Sequence, residues 1–91
     1  MKVVQTRLFA KAVKKLHANQ KKDLDAVVKT VAADPAIGEM KAGDLAGIRV
    51  YKFKMTKQLT LLAYSYEKGT VTLTLLALGS HENFYRDLKK S

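Results

Sequence analysis

The sequence predicts a small α+β domain with two helices covering one face of an antiparallel sheet. The first third of the chain repeats apolar residues with helical spacing, and the second half contains three β-branched and aliphatic segments separated by short turns. The chain has 91 residues and no Pro-rich, Gly-rich or repetitive linker. We therefore expect a single domain over residues 1–91.

The N-terminal region predicts a strand followed by a helix. Lys2–Gln5 is short and β-branched, which favours a strand. Thr6 can cap a helix from about Arg7 to Ala18, because threonine is a favoured capping residue. The apolar residues of this segment share one helical face: Phe9, Ala12, Val13 and Leu16.

A second helix is expected after a short polar turn, giving a helical hairpin. Asn19 is predicted to end the first helix and cap the second, which repeats the same apolar spacing at Leu24, Val27, Val28 and Val31. Pro35 predicts an end at Ala33 or Asp34, because proline disfavours helical geometry in the preceding residue. Glycines at 38, 43 and 47 predict a surface loop over residues 35–47.

The segment Ile48–Met55 alternates as a strand covered on one side. One face would carry Tyr51, Phe53 and Met55, and the other Val50, Lys52 and Lys54. Turns at Thr56-Lys57 and Lys68-Gly69 predict a three-stranded antiparallel meander with Leu59–Tyr66 and Thr70–Leu78. A short C-terminal helix over Glu82–Lys90 would pack Phe84 and Leu88 back on the sheet.

Charge is the strongest compositional feature. Seventeen basic residues against eight acidic residues give a formal charge of +9. Such a surface suits a polyanionic partner, which nucleic acid, an acidic protein or an anionic membrane would each provide.

Cysteine is absent, which excludes disulfides and thiolate metal sites. Because no segment has the length of a membrane span or the pattern of a secretory signal, we expect a cytoplasmic location and no membrane partner.

Three segments carry a family resemblance: Asp44-Leu45-Ala46-Gly47-Ile48-Arg49-Val50, Leu61-Leu62-Ala63-Tyr64, and Leu78-Gly79-Ser80-His81-Glu82-Asn83-Phe84-Tyr85. Together with the predicted order of elements, they resemble the RelE/ParE superfamily of bacterial type II toxins. The resemblance implies a toxin held inactive in a heteromeric complex with a cognate acidic antitoxin. In the RelE and YafQ branches it also implies ribosome-dependent, metal-independent cleavage of messenger RNA, with no cofactor.

The resemblance also implies roles for particular residues. Lys52 and Lys54 match basic residues that contact the scissile phosphate in the ribonuclease branches. Gly79, His81 and Tyr85 match a Gly-x-His motif followed by an aromatic residue in the YafQ-like branch. The arginine that RelE carries on its next strand has no counterpart between Leu59 and Tyr64, and the additional histidine and aspartate of YafQ are not found in the middle strands.

These residue types suit RNA cleavage, which requires proton transfer from the 2′-hydroxyl, stabilisation of a charged phosphorane and protonation of the leaving oxygen. His81 can transfer protons at neutral pH, and Glu82 is the alternative base. Tyr85 can stack on a base or donate a proton. The lysines Lys52 and Lys54 would offset the developing charge, helped by further phosphate contacts from Arg49, Arg86 and Lys57.

Other interpretations of the same residues stay open. The ParE branch has the same scaffold but poisons DNA gyrase, which requires a protein-binding surface and no acid or base. A non-catalytic nucleic-acid binder would use the basic helices. Lys52 and Lys54 also fit the solvent-facing side of a strand. Arg49 falls on the same side as Tyr51 and Phe53, where it would pair with an acidic residue.

Overall fold

The computed structural model describes residues 1–80 and Phe84 of the chain. In this part, five strands form one sheet: β1 (Lys2–Gln5), β2 (Glu39–Met40), β3 (Arg49–Met55), β4 (Gln58–Glu67) and β5 (Thr72–Gly79). The strands lie in the order β1-β5-β4-β3-β2, and only β1 and β5 are parallel. The predicted α+β class, N-terminal strand and antiparallel meander are confirmed.

Two helices, α1 (Arg7–Lys14) and α2 (Ala18–Ala33), connect β1 to the rest of the sheet. The predicted cap at Thr6 is confirmed, because its Oγ1 accepts a hydrogen bond from the Phe9 amide at 3.1 Å. The same hydroxyl donates to the Leu76 carbonyl at 2.7 Å, which fastens the start of α1 to β5. The helix α2 ends at Ala33, as predicted from Pro35.

The turn between the helices differs from the prediction. The first helix ends at Lys14, before the predicted Ala18, and the residue that precedes α2 is His17 instead of Asn19. The cause is the Gln20 side chain, whose Oε1 accepts the His17 backbone N–H at 2.8 Å. This bond satisfies an amide at the helix start, so α2 begins before Asn19.

The helices cover one face of the sheet and form the main core with it. Phe9 from α1 and Leu24 and Val31 from α2 pack on strand residues of that face: Met55, Leu62, Tyr64, Leu73 and Leu75. Tyr51 and Phe53 pack at the edge of this cluster with stacked rings whose centroids lie 6.3 Å apart. The apolar periodicity of both helices therefore identified their buried sides correctly.

The segment 35–47 is more ordered than the predicted loop. It contains the edge strand β2, which pairs with Arg49 and Val50 of β3, and a short 3₁₀ turn at Gly43–Leu45. A two-residue strand has too little sequence to show an alternating pattern, so its pairing depends on contacts from distant residues.

Tyr64 provides those contacts at the start of the segment. Its side chain is fully buried, its hydroxyl donates to the Pro35 carbonyl at 2.7 Å, and it accepts the Gly38 amide at 2.9 Å. A Cβ atom at Gly38 would lie 2.6 Å from the tyrosine oxygen, so only glycine fits here. The hydroxyl thus fixes the path of the chain from α2 to β2.

Both hairpin turns agree with the predictions in position, and only the second is longer than predicted. Thr56 and Lys57 form a two-residue turn with φ of 46° and 73°. The Thr56 amide donates to Oδ2 of Asp23 at 2.8 Å, which ties this turn to α2. The second turn spans residues 68–71, longer than Lys68-Gly69 alone, and Val71 has a φ of 52°.

Phe84 packs on the sheet, as predicted, and it does so on the face opposite α1 and α2. It is buried with Val50, Leu61, Ala63 and Ala77. A Cβ atom at Gly79 would lie 2.9 Å from Cδ1 of Phe84, so glycine permits this contact. The remainder of the predicted C-terminal helix, including Leu88, lies outside the described residues. Neither of the helices in residues 1–80 has the length and apolar character needed to cross a membrane.

The Tyr64 hydroxyl is expected to contribute measurably to stability. Tyr64→Phe should lower the free energy of unfolding by about 1–3 kcal/mol, because the buried Gly38 amide and Pro35 carbonyl lose their partner. Urea unfolding of both chains measures this difference. Tyr66→Phe is the matched control, since the Tyr66 hydroxyl makes no side-chain hydrogen bond within residues 1–80. An equal effect of the two substitutions would contradict a stabilising role for the Tyr64 hydroxyl.

The same hydroxyl predicts a pH dependence. Burial raises the pKa of Tyr64 above its usual value, while the Gly38 hydrogen bond and the charge of Arg49 act in the opposite direction. Above about pH 10 the unfolded chain loses this proton more readily than the folded chain, so stability falls as pH rises. The stability difference between the wild type and Tyr64→Phe should therefore shrink above that pH. Urea unfolding at several pH values tests this, and a constant difference would be contrary to it.

Candidate functional site

The candidate site lies on the sheet face opposite the helices, where β3 presents two lysines. Lys52 and Lys54 are both exposed, and Val50 on the same face is buried. The alternation of β3 places Tyr51, Phe53 and Met55 against the helices, so the strand separates its apolar and cationic residues by face. The prediction of which β3 residues lie on each face of the sheet is confirmed.

The strands beside β3 provide an apolar surface next to the lysines. Lys52 lies in register with Leu61 of β4, which in turn lies in register with Gly79 of β5. Leu61 is buried beneath Phe84, whereas Leu59, opposite Lys54, is 53% exposed. The two lysines therefore border an apolar surface that is covered at Leu61 and exposed at Leu59.

The electrostatics of this surface favour an anion. Within residues 1–80 and Phe84, neither Lys52 nor Lys54 forms an ion pair, whereas Lys41 near the sheet edge is paired with Glu39 at 3.6 Å. The backbones of alternate residues on one strand face are about 7 Å apart, so the two lysines place their positive charges on the same part of the surface. No group of three metal-ligating side chains occurs in the described residues.

Arg49 lies on the other face, away from the two lysines. Its cross-strand neighbour is Tyr64, and its Nη1 donates to the carbonyl oxygens of Gly38 at 2.8 Å and Ala36 at 3.2 Å. The expected position on the covered face is confirmed, but the partners are backbone carbonyls and not an acidic side chain. The sequence did not show this role, because the carbonyls belong to a loop whose path Tyr64 sets.

The other candidate residues divide into two groups. Lys57 is exposed in the turn between β3 and β4, held near α2 through the Thr56 bond to Asp23. His81, Glu82, Tyr85 and Arg86 lie outside the described residues. The structure therefore brings together Lys52, Lys54 and Gly79 and separates Arg49 from them.

Solved structures of bacterial and archaeal toxins share this fold. The chain matches RelE within the intact E. coli RelBE toxin–antitoxin complex with a TM-score of 0.71 and 20% identity, over 89% of this chain and 96% of that one. A free mutant of E. coli RelE gives a TM-score of 0.74 at 20% identity, over 98% and 94%. The YoeB/ParE toxin from Agrobacterium tumefaciens gives 0.69 at 18%, over 90% and 100%.

The helical hairpin packed on one face of the sheet is thus part of a fold that these toxins share. No curated protein is significantly similar to the chain in sequence. Residues 3–89 match the model of the ParE-like toxins of type II bacterial toxin–antitoxin systems. The chain belongs to this family and is a toxin of the RelE/ParE superfamily.

The separation of Arg49 from the lysines predicts different effects of substitution. Arg49→Ala should lower the free energy of unfolding by about 1–3 kcal/mol, because charged hydrogen bonds to two carbonyls are lost. Lys52→Ala should change it by no more than about 0.5 kcal/mol, as an exposed substitution. Thermal unfolding of both variants measures this contrast. An unchanged stability in Arg49→Ala would show that the guanidinium does not hold the loop.

Proposed function

We propose that this toxin cleaves messenger RNA on the ribosome, with Lys52 and Lys54 holding the scissile phosphate. The observation that carries the proposal is the exposure of both ammonium groups on the sheet face opposite α1 and α2, without carboxylate partners among the described residues. Membership in a toxin family agrees with it. Cations held by a strand can stabilise a phosphorane because they need little reorganisation during the reaction.

The proton transfers are assigned to residues that follow β5. His81 takes the 2′-hydroxyl proton or donates to the leaving 5′-oxygen, and Glu82 is the alternative base. Tyr85 stacks on a base or donates a proton, while Arg86 and Lys57 contact neighbouring phosphates. What supports this assignment is the register that links Lys52 through Leu61 to Gly79, two residues before His81 in the sequence.

The proposed regulator is the acidic antitoxin of the same system. RelE and its relatives are found in complexes with RelB antitoxins, including those from E. coli, Mycobacterium tuberculosis and Pyrococcus horikoshii. A chain of charge +9 suits an acidic segment that folds as it binds. Electrostatic steering should make its association rate depend on salt.

Removal of the two lysines should abolish cleavage. Lys52→Ala/Lys54→Ala should reduce cleavage of message on purified ribosomes by at least about 100-fold, as expected when charge stabilisation of the transition state is lost. The control Lys22→Ala/Lys29→Ala removes the same charge from exposed positions of α2. Primer extension on the message detects the cuts. Full activity in the β3 variant, or no cleavage by the wild type, would reject the proposal.

A second candidate function is inhibition of DNA gyrase by binding. The exposed Leu59 beside Lys54 favours it, since an apolar side chain among cations suits a protein surface as well as RNA. The matched family is also described as ParE-like. In this case messages stay intact on ribosomes, and purified gyrase loses supercoiling activity. Leu59→Ser should then relieve the inhibition.

A further inference from the structure

The turn between β3 and β4 holds two side chains in a backbone conformation that favours glycine. Thr56 has a φ of 46° and Lys57 a φ of 73°, both in the left-handed region. Two-residue hairpin turns of this kind are usually built from Asn-Gly or Asp-Gly, and a β-branched residue in this region is a steric outlier. The Thr-Lys turn therefore carries backbone strain that an Asn-Gly turn would not have.

A carboxylate of α2 holds this strained turn. Oδ2 of Asp23 accepts the Thr56 backbone N–H at 2.8 Å, although the two residues are 33 positions apart in the sequence. The pairing of β3 with β4 ends at Met55 and Gln58, so the Thr56 amide lies beyond the strand ladder. A hydrogen bond to an ionised acceptor is stronger than one between neutral groups. The bond from Asp23 thus offsets part of the strain in the turn.

The residue that this turn carries at its tip is a cation. Lys57 is exposed, and it follows the β3 strand that presents Lys52 and Lys54. Glycine at position 57 would relieve the backbone strain but would remove the ammonium group. Strained backbone conformations concentrate at functional sites, where the surrounding structure holds them in place. The strain, the tether to α2 and the charge of Lys57 therefore point to one role.

We propose that Asp23 is a positioning residue for RNA binding, which holds the turn so that Lys57 contacts a phosphate. This inference rests on the proposed function, in which Lys52 and Lys54 hold the scissile phosphate and Lys57 a neighbouring one. Asp23 contacts no RNA and acts through the Thr56 amide. A turn that is fixed before RNA binds lowers the ordering cost of the phosphate contact.

An effect of charge alone would have the opposite sign. Loss of an acidic side chain from a chain of charge +9 should strengthen RNA binding, because the net positive charge increases. Asp25 provides this baseline, since it is exposed on the same helix and makes no side-chain hydrogen bond within residues 1–80. A positioning role requires that removal of Asp23 weakens RNA binding, whereas removal of Asp25 does not.

The test uses fluorescence anisotropy with the full chain and a short 2′-O-methyl RNA, which cannot be cleaved. Asp23→Ala should weaken binding about threefold to tenfold and lower the salt slope by about one, because one phosphate contact is lost. Asp23→Asn should retain most of the affinity, since its side-chain oxygen still accepts the Thr56 N–H. Asp25→Ala should not weaken binding. Thermal unfolding measures the folded fraction of each variant, and affinities are compared per folded chain.

Variants of Lys57 test whether Asp23 acts through this residue. In a Lys57→Ala chain, Asp23→Ala should no longer weaken binding, because the turn then presents no ammonium group. Lys57→Gly should weaken binding as Lys57→Ala does, yet raise the midpoint of thermal unfolding by about 4 °C or more through relief of strain.

Three results would overturn the role of Asp23. The first is RNA binding by Asp23→Ala that is as tight as that of the wild type or tighter. The second is an equal loss of affinity from Asp23→Ala with and without Lys57. The third is a Lys57→Gly chain that is no more stable than the wild type, since the turn would then carry no strain to hold.

Failure of this role and failure of the cleavage proposal are distinguishable. The oligonucleotide assay contains no ribosome and measures no chemistry. The expected binding pattern in a chain that leaves messages intact would reject cleavage and retain the role of Asp23. Cleavage by the wild type, with Asp23→Ala and Asp25→Ala alike in RNA binding, would reject the role of Asp23 alone.

Discussion

The hydroxyl of Tyr64 is the interaction on which the arrangement of this toxin most depends. It lies in the middle strand of the sheet, fully buried, and bridges the Pro35 carbonyl and the Gly38 amide. Arg49, its neighbour on β3, binds carbonyls of the same loop. Two side chains of the sheet thus hold the connection between α2 and β2, and glycine at position 38 is the residue that lets the ring approach.

This connection lies on the same side of the sheet as the helices. Both helices pack on the Tyr64 face, and Lys52 and Lys54 remain exposed on the other. Stability and proposed chemistry therefore use opposite faces of the same strand. Arg49 lies on the Tyr64 face, where it holds the loop, whereas Lys52 and Lys54 lie on the opposite face. The three cations of β3 therefore have two different roles.

Much of the fold follows from local patterns in the sequence. Helical periodicity at Phe9 and Val13, alternation through Tyr51 and Lys52, and the break at Pro35 each act within a few residues, so they are readable without coordinates. The strand β2, the parallel pairing of β1 with β5 and the partners of Arg49 depend on residues far apart in the chain. For the site, the exposure of Lys52 and Lys54 on one face was predictable from the alternation of β3.

Hydrogen exchange at the Gly38 amide tests the central role of Tyr64 most directly. Gly38 lies in a connection between elements, where amides commonly exchange rapidly with solvent. If its N–H is bound to the tyrosine hydroxyl, its exchange should be slowed to within about tenfold of the amide of Ala63 in β4. Exchange as rapid as that of the exposed Gly43 would show that the hydroxyl does not hold the loop, and would contradict the account.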